Sequence, residues 1–297
     1  MRLLPGHAPL GATIVDLDLR EPVPDSVRDA ILRALGEHGV LCFPGQALQP
    51  AVQRDFCARF GSLEVNVAAA GFHADGLPEV MVLSNKLRDG RPIGLADAGQ
   101  GWHTDMSYSR VIALATVLHA VEVPRDGERT LGATRFQDMH AAYDGLAGEL
   151  KSRLAGATAV HDFAKFWDMM RRREGSTRPP LSAQQRARKP PVSHPVFMTH
   201  PITGRTVIYA NPGYVTRIER MAPHESDELL QLLFAHQLRE EYRHVHPWTP
   251  GDVLMWDDIG TLHDAVPDYG PHQPRLMHRC QVMADQVLAN PLHAHAG

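Results

Sequence analysis

The sequence predicts a mainly β fold with decorating helices, a barrel or jelly roll, and three observations carry that expectation. Short apolar runs closed by turn residues, such as Val40-Leu41-Cys42-Phe43 before Pro44-Gly45, recur along the chain. Helical periodicity is confined to two or three places. Strands and helices therefore do not alternate as a parallel α/β sheet requires. Neither an internal repeat nor a clean linker interrupts the 297 residues, so 1–297 reads as one domain.

Hydrophobic side chains make up 43% of the chain, ample for a substantial core. A formal charge of -4, with no basic block long enough to track a phosphate backbone, argues against a nucleic-acid partner. Pro5 and Gly6 stand where a signal peptide would carry its apolar run, and no later stretch is apolar enough to span a membrane. Cys42, Cys57 and Cys280 are odd in number and lack metal-finger spacing. The expectation is a soluble protein of a reducing cytoplasm, acting on a small molecule.

Taken in order, 11–19 alternates apolar and polar residues after Val15, a half-buried strand. Val27, Ile31, Leu32 and Leu35 recur at helical spacing, with Asp25 or Ser26 to cap the start and Gly36 and Gly39 to end it. After the Val40 to Phe43 strand, Val52, Phe56 and Phe60 mark a second helix stopped by Gly61. Residues 64–100 are loop-rich, with one strand at Val80-Met81-Val82-Leu83, and are read as a substrate-facing region leading into His103. The run 111–123 reads as a buried strand or strand pair, and 131–136 as the entry to a helix through 137–143. A basic, Pro-rich insertion at 161–192 is expected to be exposed, its arginines a solvated face. Thr206-Val207-Ile208-Tyr209 is a strand, and 226–243 a helix with Leu229, Leu230 and Leu233 as its stripe. His236, His244 and His246, with no carboxylate in view, read as surface histidines. Two strands close the chain, at 252–257 and 277–283.

The chemistry centres on Gly101-Trp102-His103-Thr104-Asp105. In an extended strand His103 and Asp105 would share a face and offer a nitrogen and an oxygen to one metal ion. A His-x-Asp arises by accident about once in a chain with this much histidine and aspartate. A second copy, His73-Ala74-Asp75, indeed precedes the turn-like Gly76-Leu77-Pro78, so the copy followed by a buried strand is preferred. Adding His263 from the end of the β region makes a two-histidine, one-carboxylate face, which leaves positions open on a non-haem Fe(II). Arg275 and Arg279, four apart on a strand, would share a face suited to an anionic co-substrate, with Thr134 supplying a hydroxyl. Each residue also has an ordinary reading. His103 and Asp105 could be a hydrogen-bonded pair in a barrel wall, His263 a loop histidine, Thr134 a cap ahead of Asp138, and Arg279 a partner of Asp258 or Asp268.

Four ordered motifs then resemble a known family. They are Trp102-His103-Thr104-Asp105-Met106-Ser107-Tyr108, the stretch from Gly132 to Asp144, Trp256-Asp257-Asp258 with His263, and Arg275-Leu276-Met277-His278-Arg279. Together with Val40 to Gln46 and Phe56-x-x-x-Phe60-Gly61 they resemble the taurine dioxygenase and 2,4-dichlorophenoxyacetate dioxygenase family over residues 10–283. The resemblance implies a double-stranded β-helix oxygenase using Fe(II), with 2-oxoglutarate and O₂ as co-substrates. It implies His103, Asp105 and His263 as metal ligands, Thr134 and Arg275 on the distal carboxylate of 2-oxoglutarate, and Arg279 on the substrate's anionic group. It makes a homo-oligomer plausible. The chain departs from the family with Leu131-Gly132-Ala133 in place of a Gly-Gly pair, and with Asp258-Ile259 in place of Asn-Arg. A metal-dependent hydrolase or lyase on a cupin-like barrel is the rival reading, and it would have no use for Arg275. A sugar- or acid-binding barrel that has lost its metal is a third, disfavoured by the intact ligand set.

Overall fold

The computed structural model describes residues 1–6, 9–66, 71–173, 176 and 178–292. Its larger sheet has eight strands in the order Arg2–Pro5, Ala12–Val15, Val40–Phe43, Val253–Asp257, Ala113–Glu122, Leu276–Met283, Leu77–Ser84, His73–Ala74. Neighbours are antiparallel except Ala12–Val15 and Val40–Phe43. A smaller antiparallel sheet sets Thr134–Asp138 between Arg243–His246 and Thr261–Ala265. The architecture is mostly sheet with helices packed around it, as the short apolar runs predicted.

Burial explains the central strand. Ala113 to Ala120 are buried without a break, so the strand reads as a mostly apolar run, with Thr116 and His119 its polar members, instead of an alternating one. Leu114, Val117, Met255, Cys280 and Val282, from three adjacent strands, are inaccessible to solvent. The Pro50–Cys57 helix starts on a proline, whose missing N–H costs nothing at that position. Its buried Gln53 donates to the carbonyls of Val117 (3.1 Å) and His278 (2.9 Å), pinning the helix to two neighbouring strands.

The Asp25–His38 helix runs through Gly36 and ends only at Gly39, whose positive φ of 67° lets its N–H bond back to Leu35. Gly36 serves packing: a Cβ there would lie 2.7 Å from Ile202. Thr134–Asp138 is a strand and not a helix entry, because Phe136 pairs on both sides, with His244 and His263. The helix is the short Met139–Asp144, capped by Asp138 through the N–H groups of His140 and Ala141. The expected helix over 226–243 divides into Pro223–Gln237, a 3₁₀ turn at Glu240–Tyr242 and the Arg243–His246 strand. His246 does meet a carboxylate, its Nε2 lying 3.2 Å from Asp252 Oδ2.

The insertion at 161–192 also differs from expectation. Thr158–His161 pairs with Val192–Pro195 and Val215–Ile218 in a sheet of its own. The Phe163–Arg171 helix that follows is capped by Asp162, which accepts from the Ala164 N–H at 2.8 Å, and it buries Ala164, Phe166 and Met170. Residues 174, 175 and 177 lie outside the described part, as do 67–70 of the loop-rich region. Among the described residues no helix is long and apolar enough to cross a membrane.

Candidate active site

His103 and Asp105 do not lie in an extended strand. His103 forms an isolated bridge to His263, its N–H donating to the His263 carbonyl (3.1 Å) and its carbonyl accepting the His263 N–H (2.8 Å). Residues opposed in an antiparallel pair project to the same side, so the two imidazoles meet with ring centres 4.2 Å apart. Asp105 follows in a tight turn in which Met106 takes a φ of 56°. Gly213 passes behind the turn so closely that a Cβ there would lie 2.6 Å from that of His103.

The three side chains converge. His103 Nε2 is 3.7 Å from Asp105 Oδ1, His263 Nε2 is 3.7 Å from Asp105 Oδ2, and one donor atom from each lies within 4.8 Å of the others. His103 Nδ1 donates to the Gly101 carbonyl at 2.6 Å, so its Nε2 carries the lone pair. His263 Nδ1 is buried with no hydrogen-bond partner among the described residues. Burial lowers the pKa of His103 and brings that of His263 to about 3, the neighbouring His103 adding to the effect on His263. Both rings are neutral at pH 7. Burial pushes the Asp105 carboxyl upward, but Arg279 and the two imidazoles outweigh it and hold the group well below the usual range. Two neutral nitrogens and one carboxylate oxygen fit a divalent metal that keeps open positions.

Behind Asp105 lies a buried polar network. Its Oδ2 accepts from Arg279 Nη2 (2.7 Å) and Thr116 Oγ1 (2.8 Å). Arg279 also donates to Gln281 Oε1, and Gln281 Nε2 donates to Thr116 Oγ1 (2.8 Å) and Asp258 Oδ2 (2.9 Å). Trp256 Nε1 donates to Asp258 Oδ1 at 3.1 Å. Arg279 is therefore the partner of Asp105, neither of Asp258 nor of Asp268, which instead accepts from the Gly132 N–H at 2.7 Å. Burial, reinforced by Asp105, pushes the Asp258 carboxyl well above its ordinary value. Thr116 Oγ1 also lies 2.9 Å from Asp258 Oδ2, so its one hydrogen is shared between the two carboxylates.

The triad opens on a cavity of about 310 Å³, with Thr134, Arg275 and Arg279 also in its wall. Thr134 Oγ1 accepts from Trp248 Nε1 at 3.0 Å, which leaves the hydroxyl hydrogen free for a ligand. Arg275 is 5% exposed, and no carboxylate among the described residues lies within ion-pair distance of it. Its backbone is fixed at both ends, the N–H by Asn85 Oδ1 (2.9 Å) and the carbonyl by Ser84 Oγ (2.7 Å). A desolvated guanidinium that faces a cavity and has no carboxylate partner among the described residues favours an anionic ligand. The rival His73 is absent from the cavity wall, and its strand is at the edge of the larger sheet.

Much of the wall was not foreseen. Phe163, Phe166 and Trp167 come from the helix expected to be exposed, joined by Arg178, which pairs with Asp97 through two bonds of 2.8 Å. The spacing of Phe163, Phe166, Trp167 and Met170 was a legible helical stripe. Glu64, Glu79, Leu83 and Leu95 come from the loop-rich stretch that precedes His103. Gln281 and Thr116 carry no sequence signal, because only the strand register sets them opposite each other.

Comparison with known proteins decides the family. The profile described as "Taurine catabolism dioxygenase TauD, TfdA family" matches residues 2–281. The chain belongs to the TauD/TfdA family. It is 32% identical over 300 residues to pentalenolactone F synthase of Streptomyces arenae, covering 99% of this chain and 98% of that protein. It is 34% identical over 268 residues to the alpha-ketoglutarate-dependent 2,4-dichlorophenoxyacetate dioxygenase of Cupriavidus pinatubonensis, covering 87% and 90% of the two. Among solved structures, AAD-2 in complex with Mn(II) and N-oxalylglycine superposes with a TM-score of 0.77 at 25% identity, over 95% of this chain and 96% of that one. A taurine dioxygenase from Burkholderia xenovorans gives 0.75 at 28% identity, over 95% and 89%. This TauD/TfdA protein is thus a dioxygenase that uses Fe(II), with 2-oxoglutarate and O₂ as co-substrates, on a small-molecule substrate.

Proposed function

We propose that His103, Asp105 and His263 hold the Fe(II), and that Arg275 and Thr134 hold the distal carboxylate of 2-oxoglutarate. The observation that carries this reading is one cavity whose wall contains both the convergent His-Asp-His donors and an arginine without a carboxylate partner among the described residues. A hydrolase would leave that buried cation unexplained. When bound, iron and 2-oxoglutarate supply the oxidant for hydroxylating a substrate C–H bond, with succinate and CO₂ as co-products. The chain does the positioning. His103 presents Nε2 because Gly101 holds its other nitrogen, and Thr134 turns its hydrogen to the ligand because Trp248 occupies its lone pair. The aromatic wall of Phe163, Phe166 and Trp167 excludes water from the reacting centre.

The substrate in this reading is a small anionic organic molecule: a sulfonate, sulfate ester or carboxylate. The remaining cavity arginines, Arg279 and Arg178, support that charge, and the apolar wall suits an aromatic or alicyclic body. The 2,4-dichlorophenoxyacetate relative fits the same description. The two sheets support a double-stranded β-helix spanning 1–297 as one domain, and the three free cysteines suit a reducing cytoplasm. A homo-oligomer belongs to the same proposal by family analogy.

The test is anaerobic loading with Fe(II) and 2-oxoglutarate, then admission of O₂ with a panel of sulfonates, sulfate esters and carboxylates, measuring succinate. Substrate-triggered succinate release from one class is expected. Activity with Zn²⁺ and no consumption of 2-oxoglutarate would overturn the proposal in favour of a hydrolase.

A further inference from the structure

A carboxylate ligand can bind a metal through one oxygen or through both, and the second oxygen would take a position that a chelating co-substrate or O₂ requires. Which happens is set by what else holds the two oxygens. In Asp105 they are treated differently. Oδ2 accepts from Arg279 Nη2 at 2.7 Å and from Thr116 Oγ1 at 2.8 Å, whereas no donor among the described residues bonds Oδ1. Both donors to Oδ2 are tied to one side chain, Gln281. Its carbonyl oxygen accepts from Arg279 Nη2, and its amide nitrogen donates to Thr116 Oγ1 at 2.8 Å and to Asp258 Oδ2 at 2.9 Å.

We propose that Gln281 is a positioning residue which, by fixing Arg279 and Thr116 on Oδ2, makes Asp105 a one-oxygen ligand of the metal. The inference rests on the reading of His103, Asp105 and His263 as the iron site. The amide cannot flip without setting its NH₂ against the Arg279 guanidinium, so the orientation has one stable choice. The backbone is equally fixed, since Gln281 pairs with Thr116, and Arg279 with Leu118, inside the larger sheet. Arg279 then acts through a metal ligand, as the counter-charge that keeps one carboxylate oxygen occupied through Nη2.

The experiment is anaerobic calorimetry with Fe(II) alone, followed by 2-oxoglutarate, on wild type, Gln281→Met, Arg279→Leu and Arg275→Leu. Gln281→Met and Arg279→Leu are expected to lower 2-oxoglutarate affinity about tenfold, the scale of changes around a metal ligand, and Fe(II) affinity by a smaller factor. Arg275→Leu should also weaken 2-oxoglutarate, so it calibrates loss of the anchor alone. Gln281→Asn is the substitute should Gln281→Met not fold, and the same split is expected. Unchanged 2-oxoglutarate affinity in the Gln281 variant overturns the proposal, as does equal loss of both ligands, the mark of general disruption. If wild type binds neither, the iron reading itself fails and this inference falls with it.

Discussion

At the scale of single residues the site is a set of hydrogen bonds that leave chosen atoms free. Thr134 shows the logic: its oxygen is occupied by Trp248 Nε1, so its one hydrogen is available to a carboxylate. Thr134→Val removes that donor and also orphans a buried indole N–H. The expected cost is about 1–3 kcal/mol of stability, with a rise in KM for 2-oxoglutarate of about tenfold, the worth of a hydrogen bond to a charged group. Thr134→Ser should restore both, and urea unfolding beside steady-state kinetics checks them. His103→Ala and His263→Ala should abolish Fe(II)-dependent succinate formation, whereas His73→Ala should leave it near wild type. A dead His73 variant would mean that the wrong His-x-Asp has been chosen. These ligands were legible in the sequence because their types and order are constrained by chemistry. The geometry was not, since His103 and Asp105 meet across a turn with a left-handed Met106 and not along a strand. Gln281, Thr116 and Asp258 were illegible as a group because three separate segments contribute them and only register brings them together.

At the scale of elements the lesson lies in the Phe163–Arg171 helix. Its setting among arginines, lysines and prolines suggested an exposed excursion, yet Phe163, Phe166 and Trp167 line the cavity, and Phe166 packs 4.6 Å from the His103 ring. Composition averaged over thirty residues hid a stripe only eight residues long. The element's placement depends on a cap, because Asp162 accepts from the Ala164 N–H. Asp162→Ala should therefore cost about 1 kcal/mol, seen as a lower urea midpoint. Trp167→Ala should leave 2-oxoglutarate binding intact while weakening the primary substrate, because the indole touches the cavity and not the triad. A uniform loss of both would place Trp167 in the support of the metal site instead. The Arg2–Pro5 edge strand carries little sequence signal: it has four residues, three of them exposed, and depends on pairing with Ala12–Val15.

At the scale of the whole molecule, histidine chemistry extends beyond the metal site and sets a pH response. Burial brings the pKa of His161 to about 3 and those of His140, His244 and His278 to about 4. In each case a second basic group adds to the effect: His194 and Lys165 for His161, His200 for His140, His246 for His244, and His119 for His278. All four are neutral in the folded protein at pH values where the unfolded chain, titrating near 6.5, already takes up protons. Between about pH 6.5 and about 4 the unfolded state thus binds more protons than the native one, and stability falls as pH falls. Asp138 and Asp258 act in the opposite sense, because burial raises their carboxyls, so that the native state holds protons the unfolded chain has released. Two carboxyls against these four imidazoles and those of His103 and His263 leave the acid side dominated by the histidines, and above pH 7 the imidazole contribution is complete and constant. The urea midpoint of the metal-free protein is therefore expected to drop steadily from pH 6.5 to 4.5. Replacing His161 by Gln should flatten part of that slope, since this ring is fully buried and both its nitrogens lack partners among the described residues. A midpoint independent of pH over that range would show that the buried imidazoles take up protons in place, and the electrostatic account of the interior would fail with it.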